Sequence, residues 1–137
     1  MEQIRHSLSI LPPWLFSIIT LIAIFWLTLS PKPLGENPPA LFPGADKLAH
    51  GLMFGGFVAM ILLDWQRKHQ WQKIPLKFAL VCSVVSTLLG IIIEFAQANM
   101  HLGRGFEYPD MAADTIGAFI VAILWIYLQR YWVSSPK

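Results

Sequence analysis

The residues of this sequence that could do chemistry are acids, an amide and a histidine set into otherwise apolar, helix-forming runs. The stretch "GIIIEFAQANM" carries Glu94 and, one helical turn later, Gln97. A charged side chain costs a few kcal/mol in a lipid-exposed helix, so a carboxylate at such a position usually belongs to a polar site. There it can orient or transfer a proton, hold a cation, or accept hydrogen bonds from a ligand.

Two more pairs of polar residues share this helical spacing. Asp46 precedes His50 by four positions, and Asp110 precedes Asp114 by four. Residues at that spacing lie on one face of a helix, so each pair forms a short polar stripe. A histidine beside carboxylates suits a general base with its orienting partner, and it also suits a metal site of mixed nitrogen and oxygen ligands.

The elements that must position these stripes are apolar enough to cross a membrane. Of the 137 residues, 55% are hydrophobic and only 13% are charged, whereas soluble domains carry about a quarter charged residues. Residues 7–31 contain no Asp, Glu, Lys or Arg, and roughly 20 apolar residues span a bilayer core. The composition therefore predicts a membrane protein.

Four transmembrane helices are predicted, near residues 12–30, 46–65, 76–99 and 110–131. The connection "SPKPLGENPPALFPGA" is rich in proline and glycine and cannot be regular helix. The first segment lacks the small-residue cleavage site of a signal peptide, so we expect it to remain as an anchor. The predicted fold is all-α, an integral membrane bundle of four helices that forms a single domain over residues 1–137.

Basic residues predict the orientation of this bundle, because Lys and Arg are enriched in cytoplasmic loops. Seven lie in the N-terminus, the loop "WQRKHQWQKIPLK" and the C-terminus, and three lie on the other side. Both termini are therefore predicted to be cytoplasmic. The seven are Arg5, Arg67, Lys68, Lys73, Lys77, Arg130 and Lys137, and the three are Lys32, Lys47 and Arg104.

The acidic residues have the opposite distribution. A helix rises ~1.5 Å per residue, which puts Glu94, His50 and Asp114 each roughly 24–26 Å from the basic residue at the cytoplasmic end of its helix. Three helices are thus expected to bring polar side chains to one level near the outer interface, where they must face each other and not lipid. Six of the eight acids lie on that outer side: Glu36, Asp46, Glu94, Glu107, Asp110 and Asp114.

Two basic residues, Lys47 and Arg104, lie beside this group in the predicted arrangement. A planar guanidinium suits a phosphate or carboxylate ligand, and the alternative for Arg104 is a solvated loop charge. The residues predicted to bind a ligand are Asp46, Lys47, Gln97, Arg104 and Asp110.

Four stretches of the chain occur in a specific order within residues 44–120: "DKLAHGLMF" (46–54), "EFAQ" (94–97), "GR" (103–104) and "DMAADTIG" (110–117). They resemble the VanZ-like integral membrane proteins, which show Asp-Lys-x-x-His, Glu-x-x-Gln, an Arg, and Asp-x-x-x-Asn/Asp-x-x-Gly in this order. Gly51 stands where an aromatic residue often follows the histidine. His101 and Glu107 match no family position, and we interpret them as rim residues.

The resemblance implies a location and a class of phenotype. It places the chain as a multi-pass protein of the bacterial cytoplasmic (inner) membrane. It also implies altered susceptibility to lipoglycopeptide antibiotics of the teicoplanin type, because the family is named after a glycopeptide-resistance protein. It does not supply a reaction, and the cofactor stays unknown.

The first functional hypothesis is a binding protein whose outer-leaflet polar cluster takes a lipid or envelope-glycolipid headgroup. Its expected partners are membrane lipids, with a lipid-linked envelope precursor or a lipoglycopeptide as further candidates. Nucleic acid is not an expected partner, because the net charge of +2 reflects membrane topology.

The second hypothesis is a membrane-embedded hydrolase or transferase that acts on a lipid-linked envelope substrate. His50 would be the general base, with Glu94 or Asp114 orienting it or acting as the acid. Arg104 would stabilise developing negative charge. No serine, cysteine or glycine-loop nucleophile signature accompanies these residues.

A metal site is a weaker hypothesis, with no dense ligand motif such as H-E-x-x-H to support it. Its candidate ligands, one nitrogen and three oxygens, suit Mn²⁺, Mg²⁺ or Zn²⁺. They are His50, Glu94, Asp110 and Asp114. A proton pathway is weaker still, because the inner halves of the helices carry almost nothing ionisable.

Each polar residue also has a purely structural interpretation. Asp46 and Asp110 could cap their helices, and His50 could be a packing residue. In a purely structural bundle, Glu94→Gln would behave like the wild type.

Two patterns of small residues predict close packing of the second and fourth helices. They are Gly51-x-x-x-Gly55 and Ala113-x-x-x-Gly117, and small residues let helix backbones approach each other. Such packing would hold His50 near Asp114.

Overall fold

The computed structural model describes residues 2–33, 35, 42–100 and 106–133 of the chain. Over these residues the chain forms five α-helices and no strands, so the all-α fold is confirmed. The helices are α1 (Glu2–Ile10), α2 (Leu15–Leu29), α3 (Ala45–Lys68), α4 (Leu76–Asn99) and α5 (Tyr108–Leu128), and a 3₁₀ turn (Gln129–Tyr131) extends α5.

Three of the helices, α3, α4 and α5, are long and apolar enough to cross a membrane. Each covers 24 residues when the turn after α5 is included, or roughly 36 Å of helix. Helix α2 is apolar but has only 15 residues, or roughly 22 Å, against a hydrocarbon core of about 30 Å. A helical membrane bundle is therefore confirmed, and the count of four spans stays a prediction.

The residues at the helix starts follow from backbone chemistry. Gly44 precedes α3 with φ +83°, a left-handed conformation that costs glycine least. Pro75 precedes α4 and has no N–H to leave unpaired. Asp46 and Asp110 lie inside the first turns of α3 and α5, because both helices begin before them. The prediction that these acids cap the helices is therefore wrong, although their charge there still suits the helix dipole.

The bundle is apolar outside and partly polar inside. On its surface Ile22, Leu52 and Ile92 are each more than 60% exposed. In its interior, Glu94 and Asp114 are only 1% exposed. Burying carboxylates while exposing large aliphatic side chains is favourable only when lipid surrounds the bundle.

Helices α3 and α5 make the closest contact in the bundle. A Cβ atom at Gly55 would lie 2.9 Å from the carbonyl oxygen of Gly117. A Cβ at Gly117 would overlap the backbone of Gly51. The predicted small-residue packing is confirmed, and it places His50 of α3 opposite Asp114 of α5.

At the end of the bundle remote from Glu94, a buried ion pair joins α3 to the N-terminal helices. Asp64 pairs with Arg67 and accepts 2.8 Å hydrogen bonds from the backbone N–H and the hydroxyl of Ser17. Arg67 also donates to the carbonyl oxygens of Leu8 and Leu11. Arg67, counted from the sequence as a loop charge, is thus a buried residue of the last turn of α3.

Candidate functional site

Seven ionisable side chains meet at one end of the bundle, and we call them the Glu94 cluster. Helix α3 contributes three, α4 contributes one, and α5 with the residue before it contributes three. The members are Asp46, Lys47, His50, Glu94, Glu107, Asp110 and Asp114.

Lys47 is shared among three carboxylates at the exposed side of the cluster. Its Nζ lies 2.6 Å from Glu107 Oε2 and 3.1 Å from Asp110 Oδ1, and it also pairs with Asp46. The sequence predicted that Lys47 would meet an anionic ligand. In the structure its three donor positions are directed at the protein's own acids.

His50 is held between two carboxylates of α5. Its Nδ1 lies 3.0 Å from Asp114 Oδ1, and its Nε2 lies 3.6 Å from Asp110 Oδ2. The ring also lies nearly parallel to Phe54, with an interplanar angle of 11°. Because an ionised Asp114 can only accept, Nδ1 carries a hydrogen. In the neutral imidazole, the lone pair of Nε2 then faces Asp110.

Glu94 and Asp114 each keep one buried oxygen without a hydrogen bond from any residue that the structure describes. Glu94 Oε2 accepts the backbone N–H of Glu107 at 3.1 Å, whereas Oε1 has no such donor. Asp114 Oδ2 is also without a donor, and it faces Gly90, where a Cβ would lie only 2.6 Å away. Gly90 therefore makes the space that the Asp114 carboxylate occupies.

Two sets of three side chains have ligand atoms within 4.8 Å of one another, close enough to hold a metal ion. One set is His50, Glu94 and Asp110, and the other is Asp46, Glu107 and Asp110. The ammonium of Lys47 contacts all three carboxylates of the second set, so a cation already occupies it. Of the first set, only Asp110 contacts Lys47 among the described contacts.

The structure brings together six of the eight residues predicted to form the site: Asp46, Lys47, His50, Glu94, Asp110 and Asp114. Gln97 is buried, but its amide donates a 2.8 Å hydrogen bond to the Thr28 carbonyl and so joins α4 to α2. Arg104 lies outside the residues that the structure describes, as does His101.

Sequence reasoning missed the roles of Glu107 and Gly90. Glu107 matches no family motif, yet its backbone N–H binds Glu94 and its carboxylate binds Lys47. Only its position just before the helix of Asp110 could have indicated it. Gly90 lies one turn before Glu94, and that spacing was the available signal for a small residue beside the cluster.

An apolar groove of about 570 Å³ runs between α3 and α5 and has Lys47 among its lining residues. Small residues on both helices, including Gly55, Gly56 and Ala113, line it together with aliphatic side chains such as Leu52 and Ile116. Because Leu52 and Ile116 are exposed, the groove opens toward the lipid. It therefore joins the lipid-facing surface to the Glu94 cluster.

An all-α bundle with an apolar exterior and buried carboxylates at one end defines the chain as a multi-pass membrane protein. The VanZ/LLP1 family model matches residues 14–129, and the chain belongs to this family. The resemblance seen in the sequence motifs is thereby confirmed. Searches of curated proteins and of solved structures found no match.

Proposed function

We propose that the protein binds the headgroup of a membrane lipid or lipid-linked envelope molecule in the Glu94 cluster and one of its acyl chains in the α3–α5 groove. The observation that carries this proposal is the continuity of groove and cluster at Lys47, which belongs to both. A volume near 570 Å³ falls in the range of small-molecule sites. An amphipathic molecule matches an apolar slot that ends in a polar group.

In this proposal α2 is a fourth membrane span and both termini are cytoplasmic. Ser17, near the start of α2, bonds to Asp64, and Thr28, near its end, accepts from Gln97. Helix α2 thus extends from the Asp64 end of the bundle to the Glu94 end, as a spanning helix would. With both termini on the cytoplasmic side of a bacterial cytoplasmic membrane, the Glu94 cluster lies in the outer leaflet.

The charge of the cluster indicates which headgroups fit. Among the described residues, five carboxylates face one lysine and one histidine, so this part of the cluster favours hydroxyl or ammonium groups over a bare phosphate. Glu94 Oε1 and Asp114 Oδ2 are two buried acceptors that have no donor among the described residues. Sugar hydroxyls or amines of an envelope glycolipid would supply these hydrogen bonds.

Altered susceptibility to lipoglycopeptide antibiotics would follow from ligand binding at the same site. A lipoglycopeptide of the teicoplanin type carries an acyl tail and sugar hydroxyls, so it presents the same pair of chemical features as an envelope glycolipid. Binding either molecule in the outer leaflet would change how much antibiotic reaches its target. Susceptibility is therefore expected to depend on Glu94 and on the groove.

Native mass spectrometry of the detergent-purified protein tests this function, because it identifies any lipid that stays bound and measures how much is retained. Gly56 lines the groove, and a Cβ there meets no atom within 4 Å, so the side chain of Gly56→Leu has room to enter the groove. Loss of about two methylene contacts, at roughly 0.8 kcal/mol each, lowers affinity about tenfold. Val84→Leu on the lipid-facing side of α4 is the matched control.

Two outcomes would overturn the proposal. One is equal lipid retention in the wild type, Gly56→Leu and Glu94→Gln. The other is a dimeric wild type that becomes monomeric in Gly56→Leu, which would make the groove an interface between copies. Loss of one defined lipid in both variants, with retention in Val84→Leu, is the expected result.

A membrane-embedded enzyme is the second candidate, and the Asp114–His50 pair favours it. A histidine oriented by a carboxylate at 3.0 Å has the geometry of a general base. Incubating the protein with a lipid-linked sugar substrate tests it, because turnover lost in His50→Gln would establish catalysis. Stable binding with no released product would leave the binding function alone.

A further inference from the structure

Three ligand atoms from three helices converge in the Glu94 cluster. They belong to His50 of α3, Glu94 of α4 and Asp110 of α5, and they lie within 4.8 Å of one another. Each of these side chains also has one nitrogen or oxygen atom that already faces a described partner. His50 Nδ1 faces Asp114, Asp110 Oδ1 faces Lys47, and Glu94 Oε2 accepts from Glu107.

The remaining lone pairs are therefore those of His50 Nε2, Asp110 Oδ2 and Glu94 Oε1. Nε2 lies 3.6 Å from Oδ2, and Oε1 is buried without a hydrogen-bond donor among the described residues. In the neutral imidazole the lone pairs of Nε2 and Oδ2 repel each other, and a buried carboxylate oxygen without a hydrogen-bond donor is costly. A cation at this point would remove both costs.

We infer that His50 Nε2, Asp110 Oδ2 and Glu94 Oε1 coordinate a divalent first-row cation, Zn²⁺ or Mn²⁺. One imidazole with two carboxylates is a mixed ligand set that both ions accept. Three protein ligands leave coordination positions open for water or for an oxygen of a bound molecule.

The distances in the cluster are close to those of a metal site. Bonds of 2.0–2.2 Å in a tetrahedral site set ligand atoms roughly 3.4 Å apart. The Nε2–Oδ2 distance of 3.6 Å already approaches that value. The Glu94 carboxylate, within 4.8 Å of both, needs only a small side-chain movement to close the set.

The surroundings of His50 support coordination through Nε2. Metal-bound histidines usually donate their other ring N–H to a carboxylate, which fixes the tautomer and the ring orientation. Asp114 accepts from Nδ1 in this way at 3.0 Å, and it is 1% exposed. Asp114 is therefore a positioning residue for His50, and Gly90 gives its carboxylate room.

This inference deepens the proposed function and rests on it for the identity of the bound molecule, although metal binding can be measured alone. A bound cation would offset the negative charge of the cluster. The open coordination positions would then accept a phosphate oxygen, so phosphate-bearing envelope lipids would join the sugar-bearing ones as ligands.

Elemental analysis of the full-length protein, purified without a histidine tag or chelator and then supplied with Zn²⁺ or Mn²⁺, tests the site. We expect about one ion per chain in the wild type. His50→Gln, Glu94→Gln and Asp110→Asn are each expected to lose it. His6→Gln, which removes an exposed histidine of α1, is the matched control and should retain it.

A graded variant separates coordination from simple unfolding. Asp114→Asn keeps the shape of the side chain but weakens its hold on His50, so metal affinity should fall about 10–100-fold. Addition of the metal should also raise the thermal unfolding temperature of the wild type and leave that of His50→Gln unchanged, because ligands stabilise only the state that binds them.

A wild type that binds neither ion would overturn the inference, as would binding that persists in the three ligand variants. Metal and lipid are read by separate measurements, so their failures are distinguishable. Metal without a retained lipid would refute only the proposed function. A retained lipid on metal-free protein would refute only the cation.

Discussion

Replacing two adjacent glycines of α3 by alanine should have opposite effects on stability. Gly55 faces α5, where a Cβ would lie 2.9 Å from both the Gly117 carbonyl oxygen and a methyl of Val121. Gly56 lies beside it in the sequence, but a Cβ there meets nothing within 4 Å. The same chemical change therefore creates a clash at one position and none at the other.

The magnitude follows from those contacts. Alanine stabilises a helix interior by up to about 1 kcal/mol relative to glycine, and this gain is common to both positions. At Gly55 the contact must widen by ~0.5 Å to reach an ordinary separation. Because the obstacle is backbone, the helices themselves must move, at a cost of about 1–3 kcal/mol. We expect Gly55→Ala to be less stable than Gly56→Ala by that amount.

Reversible unfolding in mixed detergent micelles measures this difference directly. Gly56→Ala should match or exceed the wild type, and Gly55→Ala should fall below Gly56→Ala. Separation of α3 from α5 should also weaken the His50–Asp114 contact, which spans the same seam. Equal stabilities for the two variants would refute the close approach of α3 and α5, and with it the positioning of the site.

Two further perturbations test the ends of the bundle. Asp64→Asn leaves Arg67 as a buried charge without its carboxylate, at a cost of about 3–5 kcal/mol of unfolding free energy. Adding Arg67→Leu to the same chain should recover part of that loss. Additive effects in the double-mutant cycle would argue against the pair. Gly90→Ala places a methyl 2.6 Å from Asp114 Oδ2. It should lower Zn²⁺ affinity about tenfold, as a change in Asp114 itself would. Unchanged affinity in a metal titration would contradict the role given to Asp114.

Much of the bundle could be predicted because the signals are local. The helices predicted near 46–65, 76–99 and 110–131 agree with α3, α4 and α5 to within a few residues, since apolar runs and proline-rich connections are visible in the sequence. The same patterns did not reveal that α1 is a separate helix. The helix predicted near 12–30 also agrees with α2 to within a few residues, and α2 begins after Pro12 and Pro13.

The level of the site residues along the helices could be predicted from the sequence better than their contacts with one another. Constant helical rise set His50, Glu94 and Asp114 at one level. The small-residue patterns then indicated which two helices approach. No local signal showed that Glu107 would donate its backbone N–H to Glu94, because that bond depends on how the chain enters α5.

The sequence by itself determined that this is a helical membrane protein of the VanZ-like type, with six of its eight acidic residues gathered toward one end. Hydrophobicity and helical rise act along the chain and need no knowledge of neighbours. Only the tertiary structure decided that Lys47 pairs with three acids, whereas His50, Glu94 and Asp110 bring ligand atoms within 4.8 Å of one another. The rotation of each helix about its axis decides those contacts, and packing of α3, α4 and α5 against one another sets that rotation.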